Sequence, residues 1–288
     1  MPFGRSFFES WVRPPSDPGT IVITPAGKSA AFAVTELLAS RELVFFLAWR
    51  DLKVRYSQTF LGVAWILLQP IISLVLFAVI FGRFAGLPSD GLPYPAFIIS
   101  GLIIWTFFIN GALNASTSVV NNADLVSKTY FARLAIPSAI ILSNLVDLLV
   151  SFVLMLVILA WYGVEPSWRI LLLVPLTLIA FVAACGAGFF LAAVNVVYRD
   201  VKHIVPFLAQ AWFFASPVVY PLSLFPGPVH WLLALNPMTG VLEGFHWAAG
   251  AATDPWQAIA ISTVSAFLML TVGVLTFCRM ESRFADVI

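Results

Sequence analysis

The stretch from Arg50 to Pro70, RDLKVRYSQTFLGVAWILLQP, places four charged residues in its first six positions and then none before Arg83. A charge-free apolar run of that length crosses about 30 Å of hydrocarbon as a helix. Charges crowded at its doorstep mark the edge of a membrane. The rest of the chain agrees. Its 288 residues are 61% hydrophobic and only 10% charged, whereas soluble domains are nearer half apolar and a quarter charged. The class is an all-α integral membrane protein, because helices satisfy their own backbone in lipid.

Further spans lie between charges. Asp90 to Asp124, Arg169 to Arg199 and Asp254 to Arg279 each enclose a long apolar run. Pro137 to Tyr162 is similar but contains Asp147, and a shorter run extends from Ile204 to Tyr220. Together with the first run, these predict six transmembrane helices. No short apolar core followed by a small-residue cleavage site is found near Met1, so the first long run is expected to stay as an anchor. If the chain starts in the cytoplasm, only Arg83 and Arg169 of the 15 Lys and Arg residues face outward. That asymmetry predicts cytoplasmic termini and places Arg50 to Arg55 at the inner face.

The organisation follows. Residues 1–34 are a cytoplasmic lead rich in Pro, Gly and Ser, and residues 35–58 an amphipathic interface helix with Thr35 as its cap and Asp51–Arg55 as an i,i+4 pair. Residues 59–288 form the transmembrane domain. Within it, residues 221–254 hold two apolar pieces, Val229 to Leu235 and Met238 to Ala249, broken by Asn236-Pro237. Neither piece is long enough to span, which predicts two short re-entrant helices before the last crossing.

Chemistry is scarce. Gly27-Lys28-Ser29 lacks the glycine that a phosphate loop needs five positions earlier, where Val22 stands. His203, His230 and His246 lie far apart without Cys or carboxylates at metal-ligand spacing, and His230 and His246 read as interfacial. Cys185 and Cys278 sit in apolar runs and predict no disulfide. Neither a metal site nor an enzyme is expected. Asp147 is a carboxylate inside a span, either functional or paired with Arg133 or a backbone group near the inner face. Trp105, Phe107 and Phe108 cluster in the second span, and Trp212, Phe213, Phe214 and Tyr220 in the fifth. They are either lipid anchors or the wall of a sugar-conducting channel, since flat rings suit the C–H faces of sugars.

Four segments together carry a resemblance: Arg50 to Pro70, LVSKTYFARLAIP (Leu125 to Pro137), VYRDVKHIVPF (Val197 to Phe207) and LNPM (Leu235 to Met238). They resemble the permease subunit of type-2 ABC exporters of polysaccharides such as O-antigen, capsule or teichoic acid. Ala132 departs from the proline that often precedes the arginine there. The resemblance implies six spans, an inner-face helix and two re-entrant helices in a bacterial cytoplasmic membrane. It also implies two copies of the chain forming the channel and two separate ATPase subunits that hold ATP and Mg. Coupling loops would lie at residues 121–133 and 197–204, with Asn122, Lys128, Arg133, Tyr198, Arg199 and Asp200 meeting the ATPase. A lipid-linked glycan would be the substrate, with neither nucleic acid nor a cofactor on this chain. Arg50, Lys53 and Arg55 are then candidates for its pyrophosphate headgroup, because guanidinium forks suit phosphate oxygens. The alternative is a type-2 ABC permease for a small molecule or drug.

Overall fold

A computed structural model describes residues 30–57, 62–128, 131–165, 167–198 and 200–287. The N-terminal lead, Gly27-Lys28-Ser29 and Arg199 lie outside the described residues. Those described are helical or irregular, with no strand among them. They form eleven α-helices in order: α1 (Ala30–Ala39), α2 (Arg41–Ser57), α3 (Gly62–Phe77), α4 (Tyr94–Asn121), α5 (Ala123–Lys128), α6 (Ala135–Trp161), α7 (Leu173–Val197), α8 (Val201–Phe214), α9 (Pro228–Ala234), α10 (Thr239–Ala248) and α11 (Trp256–Val287). A π-helical stretch, Ala78–Phe84, extends α3, and a 3-10 turn, Trp168–Leu172, precedes α7.

Among the described residues, five helices are long and apolar enough to cross a membrane: Ala64–Phe84, Tyr94–Asn121, Ala135–Trp161, Trp168–Val197 and Trp256–Ser282. The apolar run at Ile204 to Tyr220 differs from them. Its helix, α8, has 14 residues and a length of about 21 Å. Pro217 disfavours helical backbone at Ser216, so the chain leaves α8 in turns.

The core is α4. Pro93 and Pro95 start this helix, and the Asn122 side-chain amide closes it by donating to the Ser118 carbonyl at 2.8 Å. It packs against α6 and α7, and α7 packs against α11. In lipid no hydrophobic force drives helices together, so close backbone approach through small residues does that work. A β-carbon built on Gly186 of α7 would stand 2.5 Å from the Leu270 nitrogen of α11, and one on Gly273 would overlap the Gly186 carbonyl oxygen. Gly188 likewise faces Ala115 of α4. The bundle has an Asn122 end and an opposite Asp90 end. Asn195 of α7 donates to the Ser116 carbonyl of α4 at 2.9 Å near the first.

The interface element is two helices rather than one. Ser40 breaks it: its hydroxyl donates to the Glu36 carbonyl at 2.8 Å, competing with the backbone ladder. Thr35 lies inside α1 and is not a helix cap.

Candidate functional site

A groove of about 440 Å³ opens between α3, α4 and α8. Its polar residues sit at helical spacing. Gln69 and Ser73 lie one turn apart on α3, Thr106 and Asn110 one turn apart on α4, and Gln210 comes from α8. Asn114, exposed one turn beyond Asn110, continues the row on α4. None of the described lining residues is charged. This is an unusual face for a helix bundle in lipid, where an exposed amide is costly.

The aromatic candidates divide around this groove. Trp105, Phe213 and Phe214 line it together with Phe77, whose ring stacks on Phe213 at 5.3 Å. Phe108 and Trp212 pack behind them, edge to face at 5.0 Å, and Trp212 also meets Trp105 at 6.3 Å. Such pairs hold a rigid wall. Phe107 is buried and lies outside the groove. Tyr220 donates its hydroxyl to the Phe214 carbonyl at 2.8 Å and rests on Phe225. Sequence reasoning found the rings and missed the five polar side chains. Their signal was available: uncharged polar residues four apart within otherwise apolar runs.

The cationic cluster of α2 has a different fate. Arg55 donates to Asp147 of α6 at 2.9 Å, to Asp51 at 3.1 Å and to Asn144 at 3.0 Å. Tyr56 donates its hydroxyl to the other oxygen of Asp147. Burial, then the Asp147 bond and charge, push the Tyr56 hydroxyl up to about 12. Asp147 is therefore paired with Arg55 and Tyr56, not with Arg133 or a backbone group. Arg50 donates to the Asn122 side chain at 3.1 Å while remaining exposed, and Lys53 is exposed.

Arg133 turns elsewhere. Its guanidinium donates to the Glu281 carbonyl of α11 at 2.7 Å and lies 3.9 Å from the Glu281 carboxylate. The remaining described coupling candidates lie at the Asn122 end: exposed Lys128 pairs with exposed Asp124 at 2.9 Å on α5, and Tyr198 and Asp200 are exposed.

At the other end, Asp90 fastens the segment 221–254. It accepts from Ser223 at 3.0 Å and from Thr253, and its carbonyl accepts from the Ala252 backbone at 3.0 Å. Between those ties, α9 and α10 meet at Asn236-Pro237, where Asn236 accepts from Trp212 and donates to Ser216. Ser262, about 9 Å along α11, donates to the Asn236 carbonyl at 2.9 Å. His246 of α10 is buried and stacks on Phe97 at 3.8 Å, whereas His230 is partly exposed beside Trp231. Both cysteines are free.

Residues 42–249 match the ABC-2 type transporter family. The chain belongs to that family. Among relatives of this ABC-2 transporter chain, an O-antigen export system permease protein from Myxococcus xanthus is 31% identical over 258 residues, covering 88% of the chain and 98% of the relative. An O-antigen export system permease protein from Klebsiella pneumoniae is 25% identical over 248 residues, 86% of the chain and 95% of the relative. A polysialic acid transport protein from Escherichia coli is 25% identical over 203 residues, 67% and 76% respectively.

Proposed function

We propose that this chain is the transmembrane permease subunit of an ATP-driven exporter that moves a lipid-linked polysaccharide across the bacterial cytoplasmic membrane. One observation carries the reading: a groove walled by aromatic rings and uncharged amides and hydroxyls, open on a face of the bundle, in an ABC-2 chain. Amides and hydroxyls exchange hydrogen bonds with sugar hydroxyls, and rings support sugar faces. The absence of charge among the described lining residues suits a long neutral chain that must slide rather than lodge. The printed names of the relatives support the same substrate class.

Two copies form the conduit. Only 11% of the α3 crossing is buried within one protomer, against 78% for α4, so Gln69 and its neighbours have to be covered by a second copy or by water. The sixth crossing is the stretch through α8. Asn195, just before it, bonds Ser116 of α4, and Ser223, just after it, bonds Asp90 ahead of α4. Ser116 and Tyr94 are 22 residues apart on α4, about 33 Å. The segment 221–254 re-enters and returns, because both its ends meet Asp90 while its tip meets Ser262. The Asn122 end is cytoplasmic, in line with the Lys and Arg distribution.

ATP is hydrolysed on two separate subunits that dock on residues 121–133 and 197–204. Arg133 passes their motion to the end of α11 through Glu281. The pyrophosphate headgroup meets Arg50 and Lys53, and Arg55 anchors α2 on Asp147. To test the conduit, Asn110 and Gln210 are each replaced by Leu in the assembled transporter, and surface glycan is measured beside ATPase activity. Loss of export with folding and hydrolysis retained is expected. Normal export from the double variant overturns the assignment.

A further inference from the structure

A second groove, of about 420 Å³, lies between the pair α1–α2 and helices α6, α7 and α11. Its volume falls within the ~300–1,000 Å³ of small-ligand pockets. Val34, Leu38 and Phe45 form one wall, and Leu142, Phe181 and Leu270 face them. Ser138 also lines it, but its hydroxyl is already spent on the Leu134 carbonyl at 2.7 Å. Arg41 is the one charged residue among the described lining residues. It is exposed, and among the described residues it has no hydrogen-bond or ion-pair partner. Along α6 the groove runs from Leu134 to Leu142, about 12 Å, starting next to Arg133 at the Asn122 end.

We propose that this groove holds one acyl chain of an anionic bilayer phospholipid, with the lipid phosphate on the Arg41 guanidinium. Apart from Arg41, no described hydroxyl or amide of the lining is free to hold water, and helices α6, α7 and α11 around the groove are membrane spans. A basic residue at the mouth of a cleft between membrane helices is the arrangement that retains anionic headgroups. The lipid would brace α1–α2 against α6, α7 and α11. The site rests on the membrane setting alone and does not depend on which substrate is exported.

The test is native mass spectrometry of the full-length chain in detergent, titrated separately with phosphatidylglycerol, phosphatidylcholine and an isoprenyl phosphate. One phosphatidylglycerol per chain should survive activation that strips phosphatidylcholine. Arg41→Ala should weaken retention at least fivefold, Arg41→Lys less so, and Leu38→Trp should expel the lipid by filling the groove. Arg41 is exposed, so the folded state should survive its replacement. Equal retention of phosphatidylglycerol and phosphatidylcholine, or unchanged retention in Arg41→Ala, means ordinary annular lipid and overturns the proposal. Preferential retention of the isoprenyl phosphate overturns it too, by assigning the groove to the exported lipid-linked substrate. Increased phospholipid occupancy after removal of residues 1–29 would make that segment the natural occupant and would equally overturn the proposal.

Discussion

Two grooves of nearly equal size open on the bundle, one beside α4 and one beneath α1–α2, and they differ in almost every lining group. On one side, Gln69, Ser73, Thr106, Asn110 and Gln210 stand between aromatic rings. On the other, the walls are aliphatic and aromatic and one arginine guards the mouth. Both sit on a chain whose surroundings are largely hydrocarbon. Apolar lining can face lipid indefinitely, whereas exposed amides need water, sugar or a second protein surface. The chemistry of a face therefore tells what covers it.

The apolar side breaks most easily at its floor, where α7 and α11 touch through glycine. Gly273→Leu would drive a side chain into the Gly186 carbonyl, which even a β-carbon would overlap. Backbone cannot yield as a flexible side chain does, so overpacking well above ~3 kcal/mol and loss of monodisperse protein on size exclusion are expected. Gly111→Ala is the contrast. Its nearest neighbour is the Ala184 methyl at 3.6 Å, and stability should change by less than ~1 kcal/mol.

Exchanging the chemistry of the two grooves comes next. Asn110→Leu with Gln210→Leu should leave thermal stability unchanged or raised while glycan export falls about tenfold, a transition-state loss near ~1.4 kcal/mol. Leu142→Asn on the apolar side should do the reverse. It would expose an unpaired amide to hydrocarbon and cost about 1–3 kcal/mol in stability, with export per folded molecule preserved.

Arg55→Ala probes the anchor that holds α2 as a wall of the apolar groove. Asp147 would lose its guanidinium in a partly buried setting, and a cost of about 2 kcal/mol is expected, discounted for partial exposure. Asp147→Ala on the same background should restore part of it. A fully additive double variant, measured by thermal unfolding in detergent, would show that the pair is not coupled. A smaller loss than that of Arg55→Ala is expected for Tyr56→Phe, about 1 kcal/mol from one lost hydrogen bond to a carboxylate. The Tyr56 hydroxyl titrates at about 12 when folded against an ordinary 10, so its contribution is complete below pH 10 and declines as pH rises through 10 to 12. The difference between wild type and Tyr56→Phe should accordingly be flat from about pH 6 to 9.

Hydropathy read along the chain determined the five long spans, the interface element before them and the two short pieces broken at Asn236-Pro237. Those features depend on local partition between water and lipid, which is a property of consecutive residues. It also brought the aromatic clusters into view, together with the Asp51–Arg55 pair, because one helical turn relates the pair. Tertiary structure decided the rest. Whether Asp147 met Arg133 or Arg55 depended on which helix lay beside α6 and how it was rotated, and 92 residues separate Asp147 from its partner. Phe107 and Phe108 are adjacent in sequence, yet only Phe108 joins the aromatic wall, since one residue turns a helix by about 100°. The run at Ile204 to Tyr220 looked like its longer neighbours in composition. Pro217 and the ties from Trp212 and Ser216 to Asn236 shortened it into a 14-residue helix. A one-dimensional pattern records which residues avoid water. Only the packed bundle sets which of them face one another, because that depends on helix rotation and close approach at glycine.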